Sequence, residues 1–459
     1  MISSVFKAYD IRGIFPSQIN KDFAFLLGRA LGQRAHQLGH TQCVVGFDGR
    51  HSSPELAQGL SAGIRDQGVE VVNIGMVPTP LVYYYTYAHE IGACVAITGS
   101  HNPPEYNGFK MMLDGKAIYG ASVTALYDEM QALSSQPLLN KNAAEITTDI
   151  IPEYIQRIVS DVKLKRPMHI AIDAGNGVGG KVAPSLFRAL GCEVDELFCE
   201  VDANFPNHHP DPADPHNLED LITHVKNTNC ELGLAFDGDA DRLGVVTKSG
   251  EIIWPDRQLI LYSRDVISRV PGATIVFDVK CSRHVGEQVE QAGGHPLMWQ
   301  TGHSLIKQKM KEADAALGGE MSGHTFFKER WYGFDDGLYT GTRLLEILSA
   351  YDNPSAVLEA LPKDESTPEI KVQMAEGQPH ALVKTLQEKA VLPTAKRIIT
   401  IDGIRAEYED GFGLARASNT TPVLVLRFEG RNAESLKRIK TEFKQMLETF
   451  APSISLEGF

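Results

Sequence analysis

Paired cysteines, positive charge and long apolar runs are all scarce in this 459-residue chain. Its six cysteines include no C-x-x-C pair. That removes the usual zinc and dithiol signatures and leaves buried, reduced thiols as the expectation. Three of them, Cys43, Cys94 and Cys230, border apolar, strand-like runs. Lys and Arg total 44 against 58 Asp and Glu, a formal net charge of −14. Nucleic-acid binders and membrane-surface proteins normally carry the opposite sign, so neither partner is expected. An anionic ligand would need a local cluster of arginine and lysine. No apolar run reaches the ~18 residues of a membrane-spanning helix, and the opening MISSVFKAYDIRG has no apolar signal-like segment. A cytoplasmic monomer is the expectation.

What is present is core-forming material and a repeated pattern. Hydrophobic residues make up 43% and charged residues 22%, enough for several packed domains. From Cys43, CVVGFDGRHSSPELAQGLSAGIRDQGVEVVNIG reads as a strand ending at Asp48, a helix, a glycine and a second strand. HIAIDAGNGVGGKVAPSLFRALGCEVDELF repeats this around Asp173, and TIVFDVKCSRHVGEQVEQAGGHPLMWQTG around Asp278. Each is a β-α-β unit. Each is followed by one more strand ending in a polar, glycine-rich motif: VAITGSHNP, LGLAFDGDADR and AALGGEMSGH. Loops at the carboxyl ends of such strands are where these sheets bind ligands. The remainder differs. KRIITIDGIRAEY reads as a hairpin, VLVLRFEG as a strand and NAESLKRIKTEFKQMLETF as an amphipathic helix, with LPKDESTPE as a linker before them. The expected fold is three related α/β domains with mixed or parallel sheets (1–150, 151–256 and 257–366) plus a smaller α+β C-terminal domain (367–459).

The chemistry concentrates in a few motifs. FDGDADR places Asp237, Asp239 and Asp241 two residues apart, a spacing that converges three carboxylates on a hard cation. The glycine and glutamate of an EF-hand loop are replaced by Arg242 and Lys248. Mg²⁺, which takes a few carboxylates plus a phosphate oxygen, is therefore preferred; the bland reading is a solvated acidic turn. DAGNGVGG matches a dinucleotide fingerprint, with Glu193 or Asp195 as the ribose-binding acid. Its two sibling units lack the match, so a turn is favoured. NHHPDPADPH has three histidines and two aspartates, but its prolines favour an irregular connection over a metal cluster. His303 and Ser304 stand at an expected helix start. Glu320, Ser322 and His324 share one short loop suited to sugar hydroxyls. RASNTTP strings Arg416, Ser418, Asn419 and Thr420 into an expected exposed, donor-rich loop suited to phosphate.

Taken in order, KAYDIRG, TGSHNPPEYNGFK, FDGDADRLGVV, TGHSLIKQKM, GEMSGH and RASNTTP resemble the α-D-phosphohexomutase superfamily and, within it, the bacterial phosphomannomutase/phosphoglucomutase group. The resemblance spans nearly the whole chain. The family often has glycine where Ala240 stands. The resemblance implies four domains around a central cleft and a phosphoserine at Ser100. It implies Mg²⁺ held by Ser100, Asp237, Asp239 and Asp241, with Arg242 neutralising charge. The implied reaction interconverts hexose 1- and 6-phosphates of glucose or mannose. Glucose 1,6-bisphosphate would be its intermediate and activator. General acid/base candidates are Arg12, His101, Lys110 and His324, although arginine's high pKa favours an electrostatic role for Arg12. Tyr9, Lys280, His303, Glu320, Ser322, His324, Arg416, Ser418, Asn419 and Thr420 would bind substrate. The alternatives are a phosphoglucosamine mutase, disfavoured by Met321 and His324, a phosphatase, and a non-catalytic phosphosugar-binding protein.

Overall fold

The structure is a computed structural model that describes residues 3–141, 143–419, 421–452 and 454. The three repeats share one sheet plan. In the first, Gln42–Phe47 pairs in parallel with Glu70–Met76 on one side and Ala93–Ile97 on the other. In the second, His169–Asp173 lies between Glu193–Leu197 and Leu232–Phe236, again in parallel. In the third, Thr274–Asp278 lies between His295–Trp299 and Leu317–Gly319. Each third strand then turns back into an antiparallel partner: Tyr106–Leu113, Leu243–Thr247 and Thr325–Phe327 respectively. The sheets are therefore mixed, and each motif loop is the connection into that antiparallel strand. Ser100 occupies this connection in the first domain, Asp237 to Asp241 in the second, and Glu320 to His324 in the third.

Apolar runs such as CVVGF, LGLAF and TIVF are buried on both faces, as expected for strands covered by helices. One hydrophobic core runs from Val44 and Tyr83 in the first domain through Ile172 and Phe236 in the second to Phe277 and Leu344 in the third. The C-terminal domain has a separate core, built from Leu386, Leu426, Phe428 and Phe443 under an antiparallel sheet. Arg397–Ile399 and Ile404–Tyr408 form the expected hairpin. The stretch read as a linker is more ordered than expected: Glu365–Ser366 pairs with Gly430 and Glu429, because the edge of the Val423–Gly430 strand offers free backbone groups.

Two buried arginines dock this fourth domain onto the third. Arg405 donates to the carbonyls of Val279 and Cys281 at 2.6 and 2.7 Å, and Arg427 to that of Lys280 at 2.7 Å. The turn that carries Lys280 is thus held from both sides.

Candidate active site

Ser100 begins where a buried strand runs out of room. Its backbone is left-handed, with φ of 48°, and its side chain is buried. A non-glycine residue holds that conformation only where its surroundings enforce it. The enforcing group is Asp48, at the end of the neighbouring strand. Its carboxylate accepts from Gly99 N at 3.0 Å and Thr98 Oγ1 at 2.9 Å, and Thr98 Oγ1 in turn accepts from Ser100 N. Asp48 also receives Arg50 Nε at 3.1 Å. Arg50, fully buried, then donates to the carbonyls of Ser100, Asn102, Pro103 and Tyr106 at 2.5 to 3.0 Å. One guanidinium therefore holds the whole turn after the serine.

The aspartate loop of the second domain meets this turn at its backbone. A side chain on Gly238 would lie 2.3 Å from the Ser100 carbonyl oxygen, so only glycine fits between Asp237 and Asp239. Ala240 has φ of 58° and is buried. The contact brings Ser100 Oγ within 3.2 Å of Asp237 Oδ2 and, on its other side, 3.2 Å of His101 Nδ1. Asp237, Asp239 and Asp241 are wholly buried, with ligand oxygens within 4.8 Å of one another. Burial and the carboxylates of Asp241 and Asp239 push Asp237 well above the usual aspartate range. Asp239 and Asp241 each retain an oxygen with no hydrogen-bond partner.

Positive charge is brought in from other elements. Lys110 Nζ, on the strand after the serine loop, donates to Asp239 at 2.8 Å and Asp241 at 2.5 Å. Burial opposes its charge, but Asp239, Asp241, Asp335 and Asp237 outweigh it and hold Lys110 above the usual lysine range. These pairings favour its charged form. Arg242 lies 3.7 Å from Asp237 and donates Nε to His324 Nε2 at 3.0 Å. Arg12 donates to Asn102 and Asp10, both at 2.5 Å. Burial, together with Arg242, Arg12, Lys110 and His324, pushes His101 well below the usual histidine range, so its imidazole is uncharged.

The third and fourth domains close the cleft. Glu320 accepts from Gly302 N at 2.6 Å, and Ser322 is half-buried in the same loop. Burial and Lys307 keep His303 well below the usual histidine range. Tyr9, from the first domain, donates to the Thr301 carbonyl at 2.8 Å and receives Asn419 Nδ2 from the fourth. Gly302, with φ of 140°, admits that tyrosine, because a Cβ there would lie 2.6 Å from its ring. Lys280 is paired with Glu369 at 2.7 Å. Arg416 is not in an exposed loop as the sequence reading held. It sits in the Gly411–Ala417 strand, which is buried along its whole length, with Nε on Asp402 at 3.0 Å. Ser418 follows that strand, and Thr420 lies outside the described residues.

Four domain families match the chain in succession. Phosphoglucomutase/phosphomannomutase alpha/beta/alpha domains I, II and III match residues 3–137, 152–250 and 254–364, and the C-terminal domain of the same family matches 369–446. The chain belongs to the phosphoglucomutase/phosphomannomutase family. It is 53% identical over 446 residues to a phosphoglucomutase of Neisseria gonorrhoeae, covering 97% of each chain. It is 50% identical over 453 residues to a phosphomannomutase/phosphoglucomutase of Pseudomonas aeruginosa, covering 98% of this chain and 97% of that one. A crystal structure of a phosphoglucomutase/phosphomannomutase family protein from Burkholderia thailandensis matches at a TM-score of 0.94 and 50% identity, over 99% of both chains.

The dinucleotide-like motif is structural in this member of the phosphoglucomutase/phosphomannomutase family. Asp173 holds Gly175 N and His208, while Gly180 packs closely on the Cys199 carbonyl. The proline-rich NHHPDPADPH segment is the irregular connection expected. Residues that sequence reasoning missed are Arg50, Glu369, Asp402 and Asp335. Asp335 is buried, accepts from Lys307 at 2.7 Å, and lies 3.3 Å from His324 Nδ1 and 3.5 Å from His303 Nδ1. Its only signal is the FDDG pair. Arg50 had a clearer one, a basic residue in the glycine turn after the first strand.

Arg50→Lys, which keeps the charge but cannot reach four carbonyls, is expected to loosen the serine turn. Amide exchange across residues 98–106 should rise at least about tenfold, equivalent to about 1.4 kcal/mol of lost protection. Hydrogen–deuterium exchange mass spectrometry reads this directly; unchanged exchange there would remove Arg50 from that role.

Proposed function

We propose that the chain interconverts the 1- and 6-phosphates of glucose and mannose, passing a phosphoryl group through Ser100 by way of a 1,6-bisphosphate. The observation that carries this reading is the placement of the Ser100 hydroxyl, between the His101 imidazole and a buried carboxylate triad. The names of the relatives support the sugar class: one is a phosphoglucomutase and one a phosphomannomutase/phosphoglucomutase.

The triad suits a hard cation. Its carboxylates are buried, two of its oxygens are unpartnered, and the mutual repulsion felt at Asp237 is relieved by positive charge. Asp237, Asp239 and Asp241, with Ser100 beside them, would hold Mg²⁺. When bound, it neutralises charge on the oxygens of the transferring phosphoryl group.

The residues then divide the work. Transfer breaks the P–Oγ bond of phospho-Ser100 and forms a P–O bond to the free hydroxyl of the sugar monophosphate. The hydroxyl proton ends on Oγ, and His101 Nδ1, 3.2 Å away and uncharged, is placed to relay it. Lys110, Arg12 and Arg242 supply fixed positive charge around the transfer. His324 orients Arg242 and faces Asp335. The glucose 1,6-bisphosphate so formed turns within the cleft, and its other phosphate returns to Ser100; added bisphosphate would likewise rephosphorylate and activate the enzyme. Glu320 and Ser322 grip the hydroxyls shared by glucose and mannose. Tyr9, Lys280, His303, Arg416, Ser418, Asn419 and Thr420 hold the non-reacting end. We assign this work to a cytoplasmic monomer.

Ser100→Ala should lower kcat on glucose 1-phosphate at least about 10³-fold, about 4 kcal/mol, with far-UV circular dichroism unchanged. Near-normal turnover in phosphate-free Ser100→Ala protein would end the phosphoserine role. Exhaustive chelation should abolish turnover and Mg²⁺ restore it; full activity in metal-free protein, checked by elemental analysis, would remove the ion. Arg416→Lys keeps the charge beside Asp402 but loses the planar fork. KM for both glucose 1-phosphate and mannose 1-phosphate should rise by about 1.5–3 kcal/mol, roughly 10- to 150-fold, for a lost charged hydrogen bond. An unchanged KM for both sugars would exclude a phosphate grip in this domain.

A further inference from the structure

The second domain gathers a second set of metal-ligand side chains at the end of its sheet opposite the cleft. His169 opens the His169–Asp173 strand, whose other end, Asp173, faces the functional loops. Asp195 lies on the adjacent Glu193–Leu197 strand. His224 lies on the covering Glu219–Asn227 helix, and Cys230 on the turn that follows it. His169 Nε2 is 2.9 Å from Asp195 Oδ1, His224 Nε2 is 2.7 Å from Asp195 Oδ2, and Cys230 Sγ is 3.2 Å from Asp195 Oδ2. The ligand atoms of His169, Asp195 and Cys230 all lie within 4.8 Å of one another.

We propose that His169, Asp195 and Cys230, with His224 hydrogen-bonded to Asp195 beside them, form a binding site for a divalent transition-metal ion of the zinc kind, separate from the Asp237–Asp239–Asp241 triad. Ligand chemistry separates the two sites. Three carboxylates suit a hard ion that prefers oxygen, whereas an imidazole, a thiolate and one carboxylate suit zinc or cobalt. Geometry agrees. Metal–nitrogen and metal–oxygen bonds near 2.0–2.2 Å and metal–sulfur bonds near 2.3 Å place tetrahedral ligand atoms roughly 3.3–3.7 Å apart. The present separations from Asp195 need to open by less than about 1 Å to reach that range.

The surroundings supply the rest. Asp195 already accepts from both imidazoles and the thiol, so the three donors are held facing one carboxylate. When His169 gives its Nε2 lone pair to the ion, its proton moves to Nδ1, on the side where Glu193 Oε2 lies 4.0 Å away. Cys230 binds as thiolate, so one proton is released for each ion bound. His169, Asp195 and His224 are only part-buried, which leaves a path for entry. Four chain segments join here, so a bound ion would clasp the helix to the sheet end. The absence of any C-x-x-C pair concealed the site, because its one cysteine meets histidines distant in sequence.

The test uses the reduced full-length chain with saturating Mg²⁺, so that the aspartate triad is occupied. Titration with Co²⁺ should produce a near-ultraviolet thiolate-to-cobalt charge-transfer band that saturates at one equivalent and is displaced by Zn²⁺. Cys230→Ser should abolish the band while mutase turnover and circular dichroism stay at wild-type levels. His169→Gln, which keeps the thiol, should weaken Co²⁺ binding at least tenfold, and it serves as the deciding variant if Cys230→Ser does not fold. Absence of the band in the wild-type protein, its persistence in Cys230→Ser, or unchanged affinity in His169→Gln would overturn the proposal.

Discussion

Two aspartates of the second domain share one ammonium from the first. Lys110 reaches Asp239 and Asp241 from the strand that follows the serine turn. None of the three is exposed to water, so each charge depends on the others: removing one partner of a buried pair typically costs about 3–5 kcal/mol. This fixes more than stability. It sets the distance between the serine loop and the aspartate loop, and backbone contact at Gly238 closes the remaining gap. Lys110 neutralises only part of the acidic cluster. Unpartnered oxygens on Asp239 and Asp241, and an Asp237 whose ionisation is disfavoured, leave the site short of positive charge. A buried acidic cluster built this way could hold a further cation.

The repeated sheet plan makes this junction possible. In each of the first three domains the motif loop leaves a parallel strand and returns as an antiparallel one. Aspartates at the ends of the first strands brace their loops in two domains. Asp48 holds Gly99 N, and Asp278 holds Met321 N at 3.2 Å. Asp173 departs from the pattern by binding His208 and Gly175 N instead. The departure has a reason: the aspartate loop of that domain is held from outside, by Thr79 Oγ1 of the first domain on Asp239 at 2.5 Å and by Lys110.

What was legible in the sequence was local. β-branched runs ending in aspartate and glycine marked the strands and their turns, and the closely spaced FDGDADR carboxylates could be read as a cluster because they lie on one loop. What was illegible was pairing across long sequence distances. Nothing near Asp335 announces that His303 and His324 converge on it, and nothing near Glu369 announces Lys280. Arg416 was misplaced for a related reason. A run of polar residues looks like a loop, whereas the strand boundary falls after Ala417 and turns the arginine into the interior. Cys230 was read as an inert thiol because its neighbours in space come from residues 169, 195 and 224.

The fourth domain shows how a cleft can be closed without being rigid. Its core is its own, and the buried arginines Arg405 and Arg427 anchor it to the third domain through the Val279–Cys281 turn. Its contact with the first domain through Tyr9 rests on Asn419, at the far end from that anchor. The anchored side is buried and charged, and so is costly to open; near Tyr9 the domain is held by polar contacts, Asn419 on Tyr9, Thr301 N on Asp402 at 3.0 Å and Gln300 on the Ile401 carbonyl at 2.6 Å. Motion of this domain should therefore pivot about the turn that carries Lys280, moving Arg416 and Asn419 while leaving Lys280 in place. Under the function proposed above, such a pivot would let the non-reacting phosphate of the bisphosphate be released and recaptured at one wall, while Ser100, the carboxylate triad and their buried charges stay fixed at the other.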